Sequence, residues 1–308
     1  MKFKFIVMLS LFCYGKQMFA QQNSENGYSI NPNSTNKLLI IWAEANPATF
    51  DQPSSVTGYG TTALPSDAHE YFDATYTPGT TPTAYLTKYF YEMSFGKHIV
   101  LADYLNHTVQ VKGVSGGGYS KILTYLQELY NANPSQFSSN YLGNNSPLPD
   151  FDQNNIYPNY RGVPKAPISN GKIDGIIIIW TKHPSFGTAS GDGYTIRGYN
   201  NSSILGFTGV ENMAAFTGQQ SFIIQEYFHG LYGGNEYHTG AGAGDHTFMT
   251  RTNPFGISSQ VGGAGISQAA IGWDRDRLGW YGWKDLNQSV RKTHLISALD
   301  VTGNELQV

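Results

Sequence analysis

The sequence predicts an α+β fold built on a mixed sheet, and three observations carry that reading. Residues 37–43 (KLLIIWA) and 173–181 (IDGIIIIWT) are continuous apolar runs of strand length, rich in β-branched side chains. That is the pattern of strands buried on both faces of a sheet. Residues 83–95 and 119–130 instead place their apolar side chains at helical spacing. Finally, strand-like and helix-like segments follow one another without the regular alternation of a βαβ chain.

The elements follow in chain order. Residues 1–20 read as a Sec-type signal peptide: Lys2 and Lys4 give a positive start, residues 5–14 are apolar, and Ala20 is a cleavage point. The run is shorter than the ~20 apolar residues of a bilayer span, and Lys16 ends it, so no membrane span is expected. Residues 21–36 are a polar, flexible lead-in, and residues 37–308 are expected to form one folded domain. After the first strand, Tyr85, Leu86, Tyr89, Phe90 and Met93 share a helix face that starts behind Thr81-Pro82 and stops at Gly96. Residues 98–103 and 108–111 read as a strand pair across a tight turn at Leu105-Asn106, and 119–130 as an amphipathic helix.

Residues 131–171 are an Asn-, Pro- and Ser-rich insertion with little pattern, and 185–212 a second loop. A helix is expected at about 218–231, Gly-rich coil at 233–244, a further helix at 267–278 and a strand at 293–298. No internal repeat is present.

Composition narrows the function. Lys and Arg number 19 against 22 Asp and Glu, a formal charge of −3, and only 13% of residues are charged. Nucleic-acid binding needs clustered positive charge, so it is not expected. The one cysteine, Cys13, lies inside the signal segment, so cleavage at Ala20 leaves no thiol for disulfides, catalysis or metal binding. The expected location is outside the cell or in its envelope.

The segment that carries chemistry is 221–238, SFIIQEYFHGLYGGNEYH. On a helix Gln225 and His229 are four apart and share a face, with Glu226 beside them. This is the geometry of the His-Glu-x-x-His zinc helix with Gln225 in place of the first His. Such a helix needs two imidazole ligands, a carboxylate to take a proton from the attacking water, and a third ligand further on. Candidate further ligands are His238, His246 and Asp276. Asp192 and Glu211 are loop acids that make calcium a second candidate cation, although Gly191-Asp192-Gly193 also reads as a plain turn. His69, His98, His107, His183 and His294 are scattered without ligand spacing and read as surface or strand-facing groups.

Residues 225–237 resemble the helix of the immune inhibitor A-like family of secreted zinc metalloproteases, whose motif continues from His-Glu-x-x-His into a Leu-Gly turn and an acidic, Tyr-containing stretch. Other pieces resemble that family in the same order. The strand at 37–42 is similar to its opening strand, Tyr89 to Lys97 to its aromatic helix ending in Ser-Tyr-Gly-Lys, and Ile173-Asp174-Gly175 to its Val-Asp-Gly strand. Residues 244–249 are similar to its segment ending in a Met, here Met249, and Arg277-Leu278-Gly279-Trp280 to its Leu-Gly-Trp helix end.

The resemblance covers most of residues 37–283. It implies a zincin-like domain with a central Gln-Glu-x-x-His helix, a second helical subdomain, and zinc-dependent hydrolysis of an extracellular protein or peptide. In it Glu226 is the general base, His229 a ligand with His238, Asp276 and Gln225 as the other candidates, and Tyr237 or His238 a stabiliser of the oxyanion. The sequence departs from the family at Gln225, whose neutral amide is a poor zinc ligand, and at Asn235, where the family often has Asp. Two readings stay open on that account: an active peptidase, and a pseudoenzyme that keeps the cleft as a peptide- or glycan-binding module. A carbohydrate-active enzyme is a third, suggested by Asp274, Asp276 and the many Tyr and Trp.

Overall fold

The structure, a computed structural model, describes residues 30–45, 59–112, 118–154, 169–182, 194–195, 203–217, 223–224, 227–228, 231, 275, 278–280, 298–299 and 305–306. They form a mixed sheet with helices on it, the α+β class expected. The strands are β1 (Thr35–Ala45), β2 (Tyr59–Thr62), β3 (Ile99–Tyr104), β4 (Thr108–Val111), β5 (Ile176–Lys182), β6 (Tyr194–Thr195) and β7 (Met213–Thr217). Across the sheet the order is β2-β4-β1-β5-β7-β6, with β3 also on β1. The central strands are parallel, and the outer strands β2 and β6 are antiparallel to their neighbours. A short antiparallel pair, β8 (Ala298–Leu299) and β9 (Glu305–Leu306), stands apart from this sheet.

The two apolar runs are the middle of the sheet, as their β-branched composition requires. Alternation along β1 splits its side chains between two cores. Leu38, Ile40 and Trp42 join α1 (Tyr85–Met93) and the helical residues Ile223, Ile224, Tyr227, Phe228 and Leu231 on one face. Leu39, Ile41 and Ala43 join α2 (Tyr119–Ala132) on the other. Both faces are therefore covered, the condition under which parallel strands are stable.

The structure corrects three expectations. Residues 98–103 and 108–111 are not a hairpin. β3 and β4 run in the same direction, one after the other along the same edge of β1, and the Leu105 N–H bonds to the Ile40 carbonyl between them at 3.1 Å. The pairings Thr35↔Ile99 and Ala43↔Val109 leave two more residues on the β3–β4 side than on β1, so residues 105–107 form a bulge rather than a turn. The insertion expected to lack pattern contains α3 (Phe137–Tyr141) and buries Phe137, Leu142 and Phe151 in the second core. β7 follows the second loop, in residues 213–217, to which the sequence assigned no element.

Residues 30–36, the end of the stretch read as a flexible lead-in, are packed: Ile30 is fully buried, and the indole of Trp280 donates to the Pro32 carbonyl at 2.6 Å. The signal segment and the Gly-rich coil at 233–244 lie outside the described residues, as does most of the stretch in which a second helical subdomain was expected. Among the described residues no helix is long and apolar enough to cross a membrane.

Candidate functional site

Of the stretch read as a helix at about 218–231, five residues are described. Ile223, Ile224, Tyr227, Phe228 and Leu231 are helical and each at most 2% exposed. Their spacing is that of one helical stripe. Gln225, Glu226 and His229, which alternate with them along the chain, lie outside the described residues, and so do Tyr237, His238, His246, Met249 and Asp276.

What the structure does describe is a polar cluster beneath that helix. Asn36 on β1 donates from Nδ2 to the Tyr227 hydroxyl oxygen at 2.9 Å, and Nε2 of His98 lies 2.9 Å from the same oxygen. In the tautomer with the ring proton on Nδ1, which the influence of the Ser34 and Asn31 carbonyls on this ring favours, the Tyr227 hydroxyl gives its own proton to Nε2. Both Asn36 and His98 are fully buried. Burial lowers His98 to about 3, with the Ser34 and Asn31 carbonyls acting the other way, although Nδ1 has no partner in hydrogen-bonding geometry. Burial holds the Tyr227 phenol far above its usual range, opposed by the Asn36 hydrogen bond and helped by the charge of Asp174. At neutral pH the cluster is therefore uncharged.

Local structure holds His98 in place. α1 ends at Ser94, and Phe95 (φ 55°) and Gly96 (φ 74°) turn the chain through the left-handed region. A side chain at residue 96 would meet the Tyr91 ring, which with the positive φ explains the glycine. The turn returns the chain so that the His98 N–H bonds to Oγ of Ser94 at 2.9 Å, while that hydroxyl donates to the His98 carbonyl at 3.2 Å. The His98 ring stacks on Trp280 with centroids 6.2 Å apart.

Trp280 is set by a helix end. Arg275 is helical, Gly279 is left-handed (φ 68°), and the Trp280 N–H bonds to the Arg275 carbonyl at 2.7 Å, a Schellman closure. Lys97 caps it, donating from Nζ to the carbonyls of Gly279 (3.0 Å) and Trp280 (2.7 Å).

A buried acid lies at the entry to β5. Asp174 accepts from the Gln153 N–H (3.0 Å), the Asn154 N–H (3.1 Å) and the Asn154 side chain (3.0 Å), and its carbonyl accepts from Asn212 (2.9 Å). Burial still raises it to about 8, and those donors only partly oppose the shift. Glu211, read as a loop acid open to calcium, is buried and accepts from the Asn170 side chain. Asp192 lies outside the described residues.

Sequence reasoning missed His98, set aside as a surface or strand-facing group, and Asn36, which carries no motif. Neither carries a local signal: Asn36 stands between Thr35 and Lys37, and His98 follows Lys97.

No protein-family model matches the chain, and no curated protein matches it. Among the described residues no group of three His, Cys, Asp or Glu side chains is placed to hold a metal ion. The donor set that the sequence names for zinc, the imidazoles of His229 and His238 with the carboxylate of Asp276, is of ordinary zinc chemistry, and the Gln225 amide is its weak member.

Proposed function

We propose that the chain is an exported zinc metallopeptidase-like protein with a zincin-like domain of the immune inhibitor A type. It would hydrolyse peptide bonds in extracellular substrates, with calcium as a second candidate cation. The observation that supports this is the buried stripe at 223, 224, 227, 228 and 231. A continuous helix, at about 100° per residue, would set positions 225, 226 and 229 on the opposite stripe, which is the division of labour a zinc helix needs. The aromatic helix at Tyr89 and the turn at Trp280, two further pieces of the resemblance, pack against this same helix: Phe90 lies 4.8 Å from Tyr227, and Trp280 5.9 Å from Phe228.

Zinc, held by His229 with ligands drawn from Asp276, Gln225 and, where Tyr237 serves the oxyanion, His238, would supply Lewis acidity toward the attacking water. Glu226 takes the proton from that water, and Tyr237 or His238 donates to the oxyanion. Gln225 favours a second reading, a pseudoenzyme whose cleft binds a peptide or glycan without metal.

Elemental mass spectrometry of the purified protein, dialysed against metal-free buffer with and without added zinc, is the test. About one zinc per chain, lost in His229→Ala, with peptide hydrolysis abolished in Glu226→Gln, is the expected result. Absence of retained zinc, unrepaired by Gln225→His, assigns the fold to binding. Turnover of glycans insensitive to chelators and to Glu226→Gln overturns both.

A further inference from the structure

We propose that the hydrogen bonds joining Asn36, Tyr227 and His98 are a positioning device that fixes the rotation of the 223–231 helix on the sheet. These three are then positioning residues for the proposed site residues that neighbour Tyr227 in the sequence, Glu226 and His229. The inference rests on the reading given under Proposed function.

Apolar burial is strong but non-directional. Five aliphatic and aromatic side chains on one stripe hold the helix down without fixing its rotation. A rotation of about 20° about its axis moves a side chain about 5 Å from that axis by about 2 Å, several times the roughly 0.5 Å tolerance of a metal or catalytic constellation. Hydrogen bonds are directional and lose strength when bent. Here a single hydroxyl on the helix is held from two sides, by Asn36 on β1 and by His98 at the start of β3, each at 2.9 Å. Tyr227 stands next to Glu226 and two residues from His229, so its tether acts at the middle of the motif.

The cluster is a poor means of stabilising a core. Asn36 Oδ1 and His98 Nδ1 are buried without hydrogen-bond partners. An incompletely satisfied buried network is worse for stability than an apolar core of the same shape. What the network adds is a unique setting of one element against another. His98 is itself fixed, its backbone clamped by Ser94 and its ring stacked on Trp280, so it is a rigid acceptor rather than a group that follows the helix.

The experiment compares the full-length chain with Tyr227→Phe, His98→Leu, His98→Gln and Phe90→Leu. Phe90→Leu loosens the same core without touching a hydrogen bond. Zinc affinity is read by chelator competition, helix protection by amide hydrogen exchange at 223–231 against β5, and stability by thermal unfolding. Tyr227→Phe and His98→Leu are expected to weaken zinc binding about tenfold or more and to lower the protection of the helix selectively. His98→Gln, whose amide oxygen accepts the same hydroxyl proton, restores both, and Phe90→Leu lowers the melting temperature while leaving zinc affinity unchanged. The proposal is overturned if Tyr227→Phe changes affinity and helix protection no more than Phe90→Leu does. If the wild-type chain holds no zinc, the peptidase reading fails by itself and hydrogen exchange decides the tether. Selective loss of helix protection in Tyr227→Phe, recovered in His98→Gln against His98→Leu, sustains it; uniform loss removes it.

Discussion

Leu205 and Gly206 make a two-residue hairpin turn in which both central residues have positive φ, 52° and 86°. The N–H and carbonyl of Ile204 and Phe207 exchange hydrogen bonds across it at 3.0 and 2.8 Å. This is the conformation in which Asn-Gly is usual and leucine is strained. Leucine is kept because its side chain, 2% exposed, belongs to the second core, while its N–H is held by Gln127 at 2.9 Å. At Gly206 both backbone and space forbid a side chain, since a Cβ would lie 2.7 Å from the Tyr130 hydroxyl. Gly206→Ala should therefore destabilise by about 2–4 kcal/mol, combining left-handed strain with overlap. Gly79→Ala, at φ 87° with nothing within 4 Å, is the matched control and should cost only about 1 kcal/mol. Urea unfolding of the two variants isolates the overlap; equal losses would mean that the Tyr130 contact is soft.

Between elements, the joint made by Lys97 carries a testable load. Its ammonium caps the carbonyls of Gly279 and Trp280 at the end of one helix, from a position one residue before His98. A cation at a helix C-terminus is favourable, but Lys97 is exposed, so Lys97→Ala should cost about 1 kcal/mol. Near-ultraviolet circular dichroism should report a changed Trp280 environment before the global transition, and an unchanged melt would show the cap to be idle. Deeper in the same core, Phe90→Ala removes the ring packed on both Tyr227 and Phe228 and should cost about 3–5 kcal/mol by denaturant unfolding. A loss near 1 kcal/mol would show that the cavity collapses freely.

Elements of this kind divide into those a sequence discloses and those it does not. β1, β5, α1 and α2 were legible because their patterns are local, apolar β-branched runs or a helical period. β7 was not, since strand formers occupy only its last two positions, Phe216 and Thr217, and Met213 to Ala215 become strand by pairing with β5. β3 and β4 carry ordinary hairpin signals, and only their common partner β1 shows that they continue in one direction. The tether around Tyr227 was illegible for the same reason at longer range. Asn36 is 191 residues from Tyr227 and His98 is 129, so nothing local announces either contact.

At the scale of the whole molecule, three ionisable groups among the described residues, the buried His98 and Asp174 and the half-buried His107, contribute to the dependence of stability on pH. His98 is lowered to about 3 and His107 to about 4 from 6.5, both chiefly by burial. Between those values and 6.5 the unfolded chain binds protons that the folded chain refuses, so both groups make stability fall on acidification, each at up to about 1.4 kcal/mol per pH unit. Asp174 works the other way. Raised to about 8 from 3.8, it binds a proton in the folded chain that the unfolded chain releases, so its contribution is full below about 3.8 and is lost as pH rises through 8. From pH 4 to 6.5 two histidines oppose one acid, and stability should rise with pH by about one proton's worth. From 6.5 to 8 Asp174 is the one of the three still acting, and stability should fall, which places the maximum near pH 6.5. Asp174→Asn keeps the shape and carries no charge, so it should flatten the alkaline arm while leaving the acid arm falling toward pH 4. Urea midpoints at half-unit intervals from pH 4.5 to 8.5 measure both arms. An alkaline slope unchanged in Asp174→Asn would mean that the three N–H groups bonded to this carboxylate keep it ionised at neutral pH, and that the fold carries a buried negative charge at the entry to β5.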